Sequence, residues 1–175
     1  YYIYTIEDLQ KIGSPGNKPL GVKNWPLHGN YIIMNDIDAY ETASWNGGFG
    51  FIPRSNSSDG YNAFTGTLEG NNHTISGLSI NRPSEPNVGI FGYTFYCNIR
   101  NLTLANASIV GYSNVGVIAA GLSWDNSLSV IENCSIIGGS VSNNYSNGYL
   151  GGLVGRSYYT TFRNCYSSAT LNTTN

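Results

Sequence analysis

Charged residues are scarce in this chain: they make up 10% of its 175 residues, against about a quarter in ordinary soluble domains. The formal net charge is −2, and the few Lys and Arg residues form no basic patch, which argues against a nucleic-acid partner. No apolar run is long enough to cross a bilayer. Solubility therefore has to come from Asn, Ser, Thr, Tyr and Gly.

Residues that carry chemistry are also few, with three Cys and two His. The Cys spacing matches no zinc site, and the chain has no Ser-His-Asp order, phosphate-binding loop or metal-ligand helix. We therefore expect neither a metal nor a cofactor.

The best acidic cluster is formed by Asp36 and Asp38, which share a strand face, with Glu69 one coil later. Such a cluster is typical of a calcium site or a polysaccharide-cleaving site. The interpretation that we favour places these side chains at turns, where they bond to backbone amides. His73 and His28 are expected to be structural or surface residues, so the chain is predicted not to be an enzyme.

Helical periodicity is almost absent, and short runs rich in Val, Ile, Thr and Tyr alternate with Gly, Asn and Ser, as in proteins with many short strands. One short helix is predicted at residues 5–12, TIEDLQKI, with Thr5 as the N-cap and Asp8 at the third helical position. We expect it to cover one end of the fold, within an N-terminal cap over residues 1–30. Residues 31–175 then form the repeats of a single structural domain.

A repeated apolar pattern recurs through the chain. Val88, Val115 and Leu150 open similar apolar segments that start 27 and 35 residues apart. Such a period is typical of a solenoid, in which each repeat stacks on its neighbours. The sequence therefore predicts a stacked all-β scaffold.

An Asn-centred strand is predicted after the apolar segment of each repeat, at Asn101, Asn133 and Asn164. Residues 64–80 are interpreted as an earlier, shorter copy, with Gly77 at the corresponding place. Because strand residues alternate between faces, the asparagines are expected to point outward and the residues after them inward. The predicted interior column is Leu78, Leu102, Cys134 and Cys165.

Seven Asn-x-Ser/Thr sequons suggest N-glycosylation. A chain rich in Asn, Ser and Thr also contains several by chance, and that alternative stays open. The outward face expected for Asn101 and Asn133 has room for a sugar. The candidate sites are Asn56, Asn72, Asn101, Asn106, Asn133, Asn144 and Asn172.

Cys134 and Cys165 occupy equivalent positions in adjacent repeats, so their backbones are expected to lie roughly 4.8 Å apart. That separation permits a disulfide, although side chains stacked in register sit slightly too far apart without adjustment. The alternative is a buried pair of reduced thiols. Cys97 has no evident partner.

The aromatic residues, among them 14 Tyr and three Trp, are numerous enough to form stacking platforms for sugars. Tyr also packs well at solenoid corners and at protein interfaces. Four tyrosines are expected in turns, as a stripe along one edge that suits either a sugar or another subunit: Tyr93, Tyr96, Tyr158 and Tyr159. The three tryptophans are Trp25, Trp45 and Trp124.

The order of several motifs resembles the GLUG-motif family of repeat proteins. These motifs are YTIEDLQKI, GNYIIMNDID (residues 29–38), FTGTLEGNNHTISGLSI, NVGIFG and YLGGLVG followed by FRNCYSSAT. The resemblance implies a right-handed parallel β-helix of secreted or surface proteins, usually a stalk or display scaffold. The segment GVIAAGLS departs from the glycine-rich pattern of the family.

The predicted role is a glycosylated extracellular subunit of a cell-surface filament or stalk. No second cap is recognisable after the last repeat, and aromatic residues outnumber charged ones, which favours head-to-tail or lateral self-association. The main alternative is an adhesin module that binds glycans or a neighbouring cell surface.

Overall fold

The structure is a computed structural model that describes residues 1–14, 24–55, 62–122 and 128–173. It contains one short helix, α1 (Ile6–Lys11), and a 3₁₀ segment at Tyr40–Gly48 within this part of the chain. The strands in chain order are β1 (Tyr2–Ile3), β2 (Asn30–Ile33), β3 (Ile37–Asp38), β4 (Thr67–Glu69), β5 (Thr74–Ser76), β6 (Ser79–Asn81), β7 (Asn87–Val88), β8 (Phe91–Thr94), β9 (Asn98–Arg100), β10 (Thr103–Ala105), β11 (Ser108–Gly111), β12 (Asn114–Gly116), β13 (Ala119–Leu122), β14 (Ser129–Glu132), β15 (Ser135–Ile137), β16 (Ser140–Asn143), β17 (Leu150–Gly151), β18 (Val154–Ser157), β19 (Thr160–Arg163), β20 (Tyr166–Ser167) and β21 (Thr170–Thr173).

Each strand pairs in parallel with strands one coil before or after it, which gives five sheets along one axis. The first sheet has the order β1-β2-β4-β9-β14-β19, and the second has β3-β5-β10-β15-β20. The other three are β6-β11-β16-β21, β7-β12-β17 and β8-β13-β18. The chain is thus a parallel β-solenoid of about five turns with little helix, which confirms the predicted fold class.

Inward side chains stack in columns because neighbouring coils pair in register. In the first sheet, Leu68, Ile99 and Ile131 occupy one column, and all three are fully buried. Full burial of one such side chain contributes about 1.5–3 kcal/mol, so the stack supplies most of the stability. Further columns are Ile75, Leu104 and Ile136; Ile80, Ile109 and Val141; and Val88, Val115 and Leu150.

The N-terminal helix closes one end of this stack. The Thr5 hydroxyl accepts a hydrogen bond from the Asp8 N–H, and the Asp8 carboxylate accepts one from the Thr5 N–H, each at 3.3 Å. Ile6, Leu9 and Ile12 are buried against the core. The predicted N-cap and the position of Asp8 are therefore confirmed, and this capping box fixes where the helix begins.

The Asn-centred strand predicted from the sequence is instead a corner between two strands. Asn101, Asn133 and Asn164 have positive φ angles of 55°, 52° and 50°. This left-handed backbone interrupts a strand, and Asn tolerates it better than other side chains do. The residues that follow, Leu102 and Cys134, are buried as predicted, whereas Cys165 in the last coil is only half-buried.

The register assigned to Gly77 is wrong by one corner. Pairing of β5 with β10 places Gly77 opposite Asn106, whereas Asn72 lies opposite Asn101. The coils of β5 and β10 both have left-handed backbone at this second corner, at Gly77 with φ 74° and at Asn106 with φ 53°. Leu78 is buried, as expected, but it lies opposite Ala107 and is therefore outside the column of Leu102 and Cys134.

The last coil leaves its inward positions uncovered. Phe162 and Leu171 are in register with the buried Ile131 and Val141, yet they are 42% and 47% exposed. No helix among the described residues is long and apolar enough to span a membrane.

Candidate functional site

The acidic residues singled out from the sequence are engaged in bonds between and within coils. Asp36 accepts a hydrogen bond from the Thr74 N–H at 2.9 Å and lies 3.2 Å from Nδ1 of His73. The Thr74 N–H and the His73 ring together lower the pKa of Asp36. The Asp38 carboxylate accepts from the Tyr40 N–H at 3.0 Å. Both carboxylates therefore fix backbone at turns, as the favoured interpretation predicted.

Glu69 is held by three donors at a corner. Its carboxylate accepts from the Asn71 N–H at 2.7 Å and from Nδ2 of Asn101 at 3.0 Å, and it forms an ion pair with Arg100. Burial alone would raise the pKa of Glu69, but these hydrogen bonds and the Arg100 charge lower it overall. The Glu69 carboxylate therefore joins two neighbouring coils, through contacts other than those that hold Asp36.

A ladder of side-chain amides continues from Glu69 along the same corner. Asn133 Nδ2 donates to Asn101 Oδ1 at 2.9 Å, and Asn164 Nδ2 donates to Asn133 Oδ1 at 3.1 Å. We call Glu69, Asn101, Asn133 and Asn164 the corner ladder. All its amides point the same way, with their N–H groups toward the carboxylate. The 32- and 31-residue spacing of the asparagines was visible in the sequence, but their mutual bonding was not predicted.

A cleft of about 480 Å³ lies between the helix and the first coil, and four acidic residues help to line it. Contact with the Glu7 carboxyl raises the pKa of Glu41. Sequence reasoning missed this pair because Glu7 and Glu41 are far apart in the chain. Within the described residues, no group of three or more His, Cys, Asp or Glu side chains is arranged to hold a metal ion. His28 is exposed in the segment before β2.

Six of the seven sequon asparagines lie in the described residues; Asn56 lies outside them. Asn101 and Asn133 belong to the corner ladder. Asn106 is exposed, and its Nδ2 lies 3.4 Å from the Tyr40 hydroxyl. The other three are exposed at different places on the surface: Asn72, Asn144 and Asn172.

The three cysteines are free thiols. The Cys134 sulfur lies 3.3 Å from the Glu132 carbonyl of its own coil and 3.7 Å from the Ile99 carbonyl of the preceding coil. The Cys165 sulfur lies 3.3 Å from the Arg163 carbonyl and 3.4 Å from the Ile131 carbonyl in the same way. Burial raises the pKa of Cys134 to about 12. Cys97 is also buried, and burial raises its pKa. The disulfide between Cys134 and Cys165 stays a prediction.

The four tyrosines that were predicted to form one exposed stripe lie in different surroundings in the structure. Tyr93 lies in β8 and is buried, so it does not belong to an exposed stripe. Tyr96 and Tyr159 do occupy equivalent corners two coils apart, each with positive φ, and Leu128 lies at the same corner between them. All three side chains are more than half exposed. Tyr158 instead contacts Arg156, whose guanidinium carbon is 4.6 Å from the ring centre.

The two tryptophans that the structure describes do not form exposed stacking platforms for sugars. Trp25 stacks on Tyr31 with ring centres 5.7 Å apart, as part of an aromatic stack that ends at Phe64 and Phe91. Trp45 packs against the core, and Trp124 lies outside the described residues.

Comparison with known proteins agrees with the repeat pattern. Residues 146–172, which run from the last turn of the fourth coil through the fifth, match the model of the GLUG motif. The chain carries a GLUG motif. This confirms the resemblance seen in the sequence.

A curated relative extends the similarity over most of the chain. Over 158 residues, or 89% of its length, the chain is 37% identical to Halomucin from Haloquadratum walsbyi (strain DSM 16790 / HBSQ001). The chain spans 2% of the length of Halomucin. No solved structure matches the chain.

Proposed function

We propose that this GLUG-motif chain is a structural β-solenoid segment of an extracellular or cell-surface protein, which holds a fixed shape. The observation that carries the proposal is the in-register stacking of buried side chains from coil to coil, as in the column of Leu68, Ile99 and Ile131. Similarity to Halomucin supports the extracellular placement. Antibody labelling of intact producing cells tests the location: the account expects labelling without permeabilisation, and labelling only after permeabilisation contradicts it.

The contacts at the corners support a structural role rather than catalysis. Asp36, Asp38 and Glu69 each accept backbone hydrogen bonds, and the ladder asparagines bond from coil to coil. A polar group used in this way stabilises the stack and is costly to leave unpaired. Asp36, Glu69 and the ladder asparagines therefore hold neighbouring coils together, and Asp38 holds a turn within its own coil.

The finer proposal is assembly into a filament or stalk through the last coil. Exposed strand edges and apolar side chains favour pairing with another β-structure. The outer side of α1 is polar, with Glu7 and Lys11 exposed, so it complements the last coil poorly. We therefore propose that further β-structure, from the same protein or from a second copy, stacks coil against coil at residues 160–173, and that the helix is not the surface that pairs with it.

Analytical ultracentrifugation of the wild type and two matched variants tests this assembly. Phe162→Glu places a charge on the uncovered coil and is expected to abolish concentration-dependent association. Phe49→Glu changes a similarly exposed ring in the 3₁₀ region and is expected to leave association unchanged. A monomeric wild type, or equal association of both variants, contradicts assembly through the last coil.

A second candidate function is glycan binding, favoured by the exposed corner column of Tyr96, Leu128 and Tyr159. Its side chains project from three successive coils that are roughly 4.8 Å apart, so the two tyrosines lie two coil spacings from each other along the axis, with Leu128 between them. Aromatic faces of this kind suit the apolar faces of sugar rings. A glycan array tests it with Tyr96→Asn, which keeps a residue tolerant of positive φ, and with Tyr166→Asn as the exposed control. Binding that only the first variant loses supports this role, whereas an array without hits removes it.

A further inference from the structure

Arg54 carries a half-buried positive charge that no carboxylate of the described residues accompanies. Burial lowers the pKa of Arg54, because the charged guanidinium loses hydration. A charge in such surroundings is costly unless an opposite charge or hydrogen bonds compensate for the lost water. An anion that reaches Arg54 therefore gains favourable contacts.

The position of this arginine is fixed by the core and by the end of helix α1. Its N–H donates to the Ile90 carbonyl at 2.8 Å, and its carbonyl accepts from the Gly92 N–H at 2.7 Å, so its backbone pairs in parallel with Phe91. Its Nε donates to the Ile12 carbonyl, just beyond α1. The N–H groups of Nη1 and Nη2 bond to no acceptor among the described residues. The guanidinium is thus held in one place with unused donors.

A cleft of about 300 Å³ lies at this position, and Arg54 helps to line it. Leu27, Ile52 and Pro53 supply an apolar wall. The Gln10 side chain holds this wall in place, since its Oε1 accepts from the Ile52 N–H at 2.7 Å and its Nε2 donates to the Ile52 carbonyl at 2.9 Å. The volume is at the lower end of the range for small-ligand pockets.

We propose that this cleft binds an acidic sugar, such as a uronic acid unit of a polysaccharide. The sugar carboxylate accepts from Nη1 and Nη2 of Arg54, because the planar fork of a guanidinium matches the two oxygens of a carboxylate. The apolar face of the sugar ring packs against Leu27 and Ile52, where contact removes apolar surface from water. This inference goes beyond the proposed structural role and uses neither the exposed corner column nor the last coil.

Ser55 adds a polar contact for the sugar hydroxyls. It lines the cleft, and its hydroxyl donates to the Tyr93 carbonyl at 2.7 Å, so its oxygen keeps lone pairs that accept from a ligand. The charged fork, the apolar wall and this oxygen together suit a ring that carries a carboxylate, an apolar face and hydroxyl groups. A neutral sugar would leave the Arg54 charge without an anion.

NMR titration of the isotope-labelled whole chain tests the site, with glucuronate, glucose and acetate as probes at equal ionic strength. The readout is the backbone amide signals of Ile52 and Ser55, which line the cleft. Glucuronate is expected to shift these signals until they saturate. Glucose lacks the carboxylate and acetate lacks the ring, so each is expected to bind at least about tenfold more weakly.

Two variants test the arginine itself. Arg54→Gln removes the charge and the fork, and it is expected to raise the dissociation constant for glucuronate at least about tenfold. Arg54→Lys keeps the charge without the fork, and an intermediate affinity is expected. Arg163→Gln, at an exposed arginine in the last coil, is the matched control and is expected to bind like the wild type.

Unshifted Ile52 and Ser55 signals in the wild-type chain overturn the inference without any variant, so a poorly folded Arg54→Gln does not prevent the test. Equal affinities for acetate and glucuronate would mean that the cleft holds a bare anion. Equal affinities for glucose and glucuronate would mean that Arg54 does not select the ligand. Either result contradicts the proposal, as does an equal loss of affinity in Arg54→Gln and Arg163→Gln. None of these results bears on location or assembly, so the proposed function is tested separately.

Discussion

Asn133 combines two properties that few side chains share. Its backbone is left-handed, with φ 52°, and its amide bonds to the coil before it and the coil after it. Left-handed backbone costs other L-residues about 1–2 kcal/mol, and Asn reduces this cost. A single residue type therefore supplies both the turn of the corner and the bond along the axis.

Two substitutions at Asn133 separate these contributions. Asn133→Gly keeps a residue suited to positive φ and removes the ladder bonds, so we expect the free energy of unfolding to fall by about 1–2 kcal/mol. Asn133→Ala also introduces backbone strain and is expected to cost about 1 kcal/mol more. Chemical denaturation followed by circular dichroism measures both.

Asn72→Gly is the matched control for the ladder. Asn72 occupies the same corner column with φ 61°, but its side chain forms no hydrogen bond within the described part of the chain. We expect its replacement to leave stability nearly unchanged. An equal loss in Asn72→Gly and Asn133→Gly would show that the ladder bonds contribute nothing.

Glu69 makes stability depend on pH. Its pKa in the folded chain lies below the ordinary value of 4.5, so its carboxylate stabilises the native state above that pH. This contribution is lost as the pH falls through the folded pKa. We expect Glu69→Gln to be less stable than the wild type at neutral pH and to lose less stability on acidification below 4.5.

The difference between the two proteins isolates Glu69, because the Glu7 and Glu41 pair titrates in both. Thermal unfolding at a series of pH values gives the two curves. Parallel curves would contradict the role assigned to the Glu69 carboxylate.

The thiols are expected to differ in reactivity. Cys97 and Cys134 are buried, and burial raises the pKa of each, so they supply little thiolate. Cys165 is half-buried in the last coil. In the native protein, a thiol reagent is expected to modify Cys165 first and the other two only after unfolding. If no thiol but Cys97 reacts even in denaturant, Cys134 and Cys165 form the alternative disulfide.

At the scale of elements, helix α1 was predictable because its signals are local. Thr5 and Asp8 bond to each other across one turn, and the apolar residues follow the helical period. The packing of the helix on the first coil is not local, because Ile6, Leu9 and Ile12 contact core residues that are distant in the sequence.

Leu9→Ala tests this cap. Leu9 is fully buried, so we expect a loss of about 2–5 kcal/mol in the free energy of unfolding. Tyr4→Ala, at an exposed ring just before the helix, is the control and is expected to have a small effect. Urea denaturation compares them, and equal midpoints would mean that the helix does not stabilise the stack.

The strand register was only partly predictable. The stacking of Val88, Val115 and Leu150 followed from their similar surroundings in the sequence. Gly77 was matched to the wrong corner because Gly and Asn both adopt positive φ, so the letters alone do not distinguish the two left-handed corners of a coil. Gly77 lies opposite Asn106 because of the register of the whole coil, and its neighbours in the sequence do not determine this pairing.

The candidate sites depended even more on tertiary structure. The outward direction of Asn101 and Asn133 was predicted, but alternation between faces carries no information about bonds from one coil to the next. Tyr93 was expected in a turn between strands, whereas it lies in β8, which is buried along its whole length.

At the scale of the molecule, the solenoid has unequal ends. Helix α1 covers one end, and the last coil exposes Phe162 and Leu171 at the other. Each coil repeats the same columns and one corner repeats the same amide ladder, so another coil can add to the stack without new chemistry.

Cryo-electron microscopy of the native extracellular protein tests the structural role most directly. The account predicts rods whose coils are spaced roughly 4.8 Å along the axis and in which further β-structure covers Phe162 and Leu171. Discrete particles in which the last coil remains uncovered would contradict it.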